Sequence, residues 1–237
     1  MNELLDLPDF RPSGNVRLAP DLYDVENSAM DRSGLVLEAM RKLAPWKGKD
    51  LLDLGCGTGY WLYGYEREAA RVVGVEPDPT LLPRALAGGN GAQVLHGSAE
   101  HLPLPDRSID VVHARFSYFF PPGCEAGLKE VLRVLRPGGS LVVIDNDQRQ
   151  GEFAQLLEVL GNDSQGRAEV TDAWWDAHGA SRVEVMSSWQ FDSRQDFEDV
   201  LRMELTIEVA NPWLEAHPSA TGLTYGYVLF SVTKPLG

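Results

Sequence analysis

A chain of 237 residues, 43% hydrophobic and 24% charged, can bury a full core unaided and fits one α/β domain better than two. Its 35 acids against 21 bases leave a net charge of −14, which argues against the basic face that neutralises nucleic-acid phosphates. Cys56 and Cys124 make no disulfide framework, no apolar run reaches membrane-span length, and residues 1–6 lack a signal pattern, so a reducing cytoplasm and no membrane partner are expected.

In chain order, segment 23–43 reads as one or two helices laid over the front of the domain. From residue 50 to about 145, short apolar runs alternate with helical patterns, the signature of βαβ units and a parallel sheet. The strands are expected at 50–54, 71–76, 92–96, 109–114 and 141–145. Runs such as Val72-Val73-Gly74-Val75 and Leu141-Val142-Val143-Ile144 suit strands covered on both faces. Between the last two strands, Leu128, Val131, Leu132 and Leu135 recur at helical spacing, and Pro137-Gly138-Gly139 closes the element. Further on, 152–160 reads as a helix and 182–191 as a strand. Ser193-x-x-Asp196 then caps a helix expected to run to about residue 209 and to stop before Pro212. The run 223–232 is strongly β-prone.

The turn Asp53-Leu54-Gly55-Cys56-Gly57-Thr58-Gly59 falls where a strand should give way to a helix, and glycine there lets a ligand lie against the backbone. Glu76 ends the next strand, where a carboxylate can accept hydrogen bonds from both hydroxyls of a ribose. Together they describe a nucleoside held across the ends of two strands. A dinucleotide fingerprint needs a small residue where Tyr60 stands, so NAD-type cofactors fit poorly.

This Asp-x-Gly-x-Gly-x-Gly spacing resembles motif I of the class I S-adenosylmethionine-dependent methyltransferases, in particular their small-molecule branch. The resemblance continues through 145. His96-Gly97-Ser98-Ala99-Glu100-His101-Leu102-Pro103 is similar to the segment that covers the adenine. Leu104-Pro105-Asp106-Arg107-Ser108-Ile109-Asp110-Val111-Val112 resembles the approach to the fourth strand, and Leu132-Arg133-Val134-Leu135-Arg136-Pro137-Gly138-Gly139 the approach to the fifth. The resemblance implies a Rossmann-like sheet of seven mostly parallel strands, the last antiparallel, with helices on both faces. It also implies one domain: cap helices over 1–45, a cofactor-binding core over 46–145, and sheet completion with substrate-side helices over 146–237.

The implied cofactor is S-adenosylmethionine. Asp53 and the turn Gly55, Cys56, Gly57 and Gly59 would face its methionyl amino group, Glu76 the ribose, and Pro77, Ser98 and Ala99 the adenine. The main chain near Ala114 and Arg115 would reach the methionyl part, and Tyr23 would cover it or the acceptor. Ser98 stands where the family often has Asp, which weakens that contact.

Methyl transfer from a sulfonium is an in-line displacement, so alignment and exclusion of water are the protein's main tasks. A general base is needed only for some acceptors; His113, Arg115, Tyr118, Asn146 and Asp147 are the candidates. His113 reads more readily as a core histidine, and Arg115 equally suits an acidic substrate or an ion pair. No metal is expected, because Asp145-Asn146 lacks a carboxylate at the exit of the fourth strand. Trp174, Trp175, Trp189, Trp213 and Phe197 read as core rather than pocket lining. The expected acceptor is a small molecule. Two alternatives stay open: a different reaction of the same cofactor, and a cofactor-binding partner protein without transfer activity.

Overall fold

The computed structural model describes residues 6–89, 91–161 and 163–236; most of the acidic start, 1–5, lies outside them. Apolar runs that cannot face water on either side form the centre of the sheet. β1 (Asp50–Leu54), β2 (Arg71–Glu76), β3 (Gln93–His96), β4 (Ile109–Arg115) and β5 (Leu135–Asn146) run parallel in the order β3-β2-β1-β4-β5. β7 (Gly222–Thr233) inserts antiparallel between β5 and β6 (Ser181–Gln190). The seven-stranded, mostly parallel sheet with an antiparallel last strand is thus present.

Period-two alternation divides each central strand between two cores. Leu51, Val72, Val111 and Val142 pack with Val36, Met40, Trp46 and Tyr65. Leu52, Val73, Val112 and Val143 pack on the other face with Leu128, Val131 and Trp175. α6 (Glu125–Val134) supplies the second set; Leu135, counted above with this helix, instead opens β5. The chain leaves β1 toward β2 and later crosses back to β4, so β1 and β4 are neighbours whose connections diverge. A crevice opens at such a switch point, beyond the carboxyl ends of the strands.

Three helices precede the sheet: α1 (Gly14–Leu18), α2 (Pro20–Ala29) and α3 (Leu35–Leu43). The segment read as one or two helices resolves into α2 and α3, separated by Asp31 and Gly34 at positive φ. α2 is pinned above the glycine turn. Thr58 Oγ1 donates to Asp24 Oδ1, Arg84 reaches Asp21 and Asp24 at 2.6 Å each, and Trp61 Nε1 donates to Asn27 Oδ1 at 2.8 Å.

Beyond β5, α7 (Gly151–Val159) matches the expected helix, whereas α8 (Ser164–Ala177), capped by Asp163, carried no recognised signal. Ser193 caps α9 (Arg194–Glu204) as expected, but the helix stops earlier than read. Buried Leu205 is extended, and α10 (Ile207–Ala216) starts anew with Pro212 inside it. Pro212 costs this short helix one backbone donor, while Leu205 at the break is buried in the core. Trp174, Trp175, Trp189 and Phe197 are buried and Trp213 half-buried, all in the core. Among the described residues no helix is long and apolar enough to cross a membrane.

Candidate active site

A cavity of about 580 Å³ opens at the carboxyl ends of β1, β2, β4 and β5 under α1 and α2. Its floor is the glycine turn. Gly55, Gly57 and Gly59 all have positive φ (72°, 57° and 81°). A Cβ on Gly55 would lie 2.6 Å from Ser117 Cβ, and one on Gly59 2.8 Å from the backbone of Ala85. At Gly57 the nearest atom would be Val16 Cγ2 at 4.0 Å, so this glycine faces open space and presents bare backbone to the cavity.

Glu76 is bonded to that turn. Its Oε2 accepts the Gly57 N–H and its Oε1 the Asp78 N–H, each at 2.8 Å. The turn itself is tied to β2 by the N–H groups of Gly55 and Cys56, both donating to the Val75 carbonyl. A carboxylate has about four lone-pair sites; two here hold the backbone, and the rest remain for a ligand. Burial pushes Glu76 up to about 7, against the pull of its two backbone donors. Burial likewise pushes Asp53 up to about 7, with Arg115 pulling it back.

Of the sequence-named residues, Tyr23, Gly55, Gly57, Glu76, Pro77, Ser98, Ala99, Arg115 and Tyr118 line the cavity. Asp53, Cys56, Gly59 and Ala114 do not: they stand behind it. The Cys56 side chain packs toward Gly74, whose added Cβ would lie 2.8 Å from Cys56 Sγ, and Ala114 is fully buried in the core. His113 is also removed from the site. It alternates with Val112 and Ala114, is fully buried, and lies against Trp46 and Tyr65 at 5.1 Å between ring centroids. Neither ring nitrogen has a hydrogen-bond partner among the described residues, and burial lowers it to about 3. A neutral, walled-in imidazole is a core residue and no proton carrier for this cavity.

Tyr118 follows β4 at φ 54°, and its ring lines the cavity while its hydroxyl is engaged elsewhere. That hydroxyl donates to Glu100 Oε1 and accepts the Gly127 N–H, both at 3.0 Å. Arg115 stacks over Trp61 at 3.9 Å, which holds its guanidinium at the back of the site. Asp147 does not line this cavity, whereas Asn146 does and accepts the Tyr225 hydroxyl.

Several lining residues were missed: Asn15, Glu26, Met30, Asp78, Glu204 and Tyr225. The Tyr23-x-x-Glu26 spacing, which puts both on one helix face, was available as a signal. Met30 and Asp78 follow the ends of α2 and β2, while Asn15, Glu204 and Tyr225 arrive from α1, α9 and β7, where nothing local marks them. Among the described residues no group of three or more His, Cys, Asp or Glu side chains is arranged to hold a metal ion. Asp110 lies at the opposite end of β4, where its Oδ2 accepts the Asp50 N–H and pairs with Arg136.

A family model described as a methyltransferase domain matches residues 52–143. A Mycolicibacterium smegmatis protein named an S-adenosylmethionine-dependent methyltransferase is 33% identical over 199 residues, covering 76% of this chain and 74% of its own. The chain belongs to the S-adenosylmethionine-dependent methyltransferases. A Bacillus cereus protein named a demethylmenaquinone methyltransferase is 32% identical over 161 residues, covering 60% of this methyltransferase and 68% of its own chain. With other curated relatives, mycobacterial methyltransferases among them, the chain spans about half of their length. A solved Bacillus halodurans structure named as a methyltransferase superposes with a TM-score of 0.60 at 21% identity, over 84% of this chain and 98% of that one; it shares the fold.

Proposed function

We propose that this methyltransferase moves a methyl group from S-adenosylmethionine to a small-molecule acceptor, without a metal ion, in the cavity above β1, β2, β4 and β5. The observation that carries the reading is Glu76, a buried carboxylate that closes the glycine turn through Gly57 and keeps lone pairs toward the cavity. Two vicinal hydroxyls are the natural complement of such a group, and the bare backbone at Gly57 accommodates a nucleoside lying flat on it.

Bound there, S-adenosylmethionine supplies an electrophilic methyl carbon on a good leaving group. Glu76 would hold the ribose. Pro77, Ser98 and Ala99 would border the adenine, and Gly55, Tyr23 and Arg115 the methionyl end. Asp53, Cys56, Gly59 and Ala114 would act from behind, by fixing the turn and the strand ends. α2, locked down through Asp24 and Asn27, would exclude water from the reacting atoms. The cavity volume lies within the range of small-ligand sites, and the net charge of −14 supports a metabolite over a nucleic acid. The metal-free reading rests on the donor set, since Asp145 and Asn146 find no third oxygen ligand from Asp110. The whole chain would act as one domain, its cap helices and C-terminal helices closing the same cavity.

Calorimetric titration with S-adenosylmethionine, S-adenosylhomocysteine and NAD tests the cofactor. Binding of the first two and not of NAD is expected, and the reverse overturns the reading. Transfer of labelled methyl to a metabolite pool, undiminished by a chelator, tests the metal-free acceptor reaction.

A further inference from the structure

The acceptor end of the cavity is acidic in a way that the cofactor does not explain. Among the described residues six carboxyl-bearing side chains line the cavity against two arginines, and only two of the six, Glu76 and Asp78, belong to the glycine turn and its partner. Of those arginines, Arg11 is exposed and bonded to its own segment, and Arg115 is stacked on Trp61. Glu26, buried on α2, and Glu204, at the end of α9, both line the cavity and interact with each other; burial raises both carboxyls, and the Glu204 charge raises Glu26 further. Asn15 Nδ2 donates to Glu204 Oε1 at 2.7 Å. Glu26 Oε2 is fully buried and has no donor among the described residues. Among the described residues no cation pairs with either carboxyl. Burial holds both above the ordinary carboxylate range.

Two buried carboxyls without a cation partner carry an uncompensated charge whenever either ionises, and an unpaired buried charge is costly. Tyr23, Phe116 and Tyr225 line the same cavity. An ammonium group suits both features, because it donates several hydrogen bonds, carries the missing charge, and is attracted to aromatic faces. A carboxylate or phosphate ligand would be repelled.

We infer that the Glu26–Glu204 pair anchors the methyl acceptor, and that the acceptor presents a protonated amine to it. This rests on the methyltransferase reading above. The pair is built by α2 and α9, with Asn15 from α1, and none of these belongs to the strands that carry the glycine turn and Glu76. Because Tyr23, one turn from Glu26 on the same face of α2, borders the methionyl end, calorimetry has to tell the acceptor's ammonium from that of the methyl donor. Once the amine is docked, an ionised carboxylate of the pair accepts its proton; the ammonium becomes a neutral amine and the carboxylate a neutral carboxyl, so charge balances. The nitrogen lone pair is then free.

The test is calorimetry on the full chain with S-adenosylhomocysteine saturating. Three matched probes are titrated: 2-phenylethylamine, 2-phenylethanol and 3-phenylpropionate. The amine should bind at least tenfold more tightly than the alcohol, and the carboxylate not at all. Glu26→Gln and Glu204→Gln, each checked by thermal melting for an intact fold, should each weaken the amine at least tenfold and change S-adenosylhomocysteine affinity less than threefold. Equal binding of alcohol and amine, binding of none of the three, or amine affinity that survives both substitutions overturns the inference. So does a loss confined to S-adenosylhomocysteine, which would assign the pair to the donor's ammonium. If wild-type chain binds no S-adenosylhomocysteine, the methyltransferase reading fails instead, and the amine titration is repeated without it.

Discussion

Replacing Glu76 by alanine separates its two jobs. The side chain closes the turn through Gly57 and Asp78, and it also lines the cavity. Each hydrogen bond to a charged group contributes about 1.5–3 kcal/mol, not additively, so losing two ribose contacts should weaken S-adenosylhomocysteine by about 2–4 kcal/mol. That is roughly 30- to 700-fold in Kd. Calorimetry belongs at pH 8, because burial holds Glu76 near about 7 and only the ionised form accepts both hydroxyls. Between pH 6 and 8 wild-type affinity should rise as Glu76 ionises, whereas the alanine variant should lack that rise. Loss of the two backbone bonds lowers stability as well, so the variant is compared by urea denaturation. A folded Glu76→Ala chain with unchanged affinity would show that the carboxylate does not hold the ligand.

Three further outcomes follow from the same geometry. Gly59→Ala should cost about 2–4 kcal/mol in urea denaturation, from positive φ plus a backbone clash at Ala85. Gly57→Ala, with open space around it, should cost only about 1–2 kcal/mol; equal costs would refute the clash. His113→Leu removes two unpartnered buried nitrogens at the expense of two aromatic contacts, so stability at pH 7 should hold or rise by about 0–2 kcal/mol. S-adenosylhomocysteine affinity should not move; a loss of either would return His113 to the site.

The pH dependence of the unliganded protein has a definite sign. Asp53, Glu76 and Asp145 keep protons up to about 7 in the folded chain, so stability falls as pH rises from their ordinary values to about 7. His113, held neutral to about 3, opposes this below its ordinary value of 6.5, where the unfolded chain takes the proton and stability falls with falling pH. Three acids outweigh one histidine, so urea denaturation between pH 5 and 7 should show a net fall on the order of 1–3 kcal/mol per pH unit. A flat or rising profile would contradict the buried carboxyls.

The central strands, the turn 53–59 and Glu76 were legible in the sequence because each depends on neighbours within a few residues. Alternating apolar runs, glycines at positive φ and a strand-ending acid are local facts. Where tertiary packing competes with local pattern, the sequence was a poorer guide. Pro212 reads as a helix stop, yet the break falls at Leu205 because that side chain is drawn into the core. His113 and Arg115 share a strand face and diverge in fate, because Trp46 and Tyr65 wall in one while Trp61 holds the other at the cavity.

By itself, then, the sequence determined the sheet, the glycine turn and the methyltransferase family, all written in contiguous patterns. Only the tertiary structure decided the acidic end of the cavity. Glu26 and Glu204 lie 178 positions apart, and they form a pair solely because α2 and α9 pack together over the open end of the sheet. A buried charge has no signature along the chain; it exists once folding has removed both its water and its counter-ion.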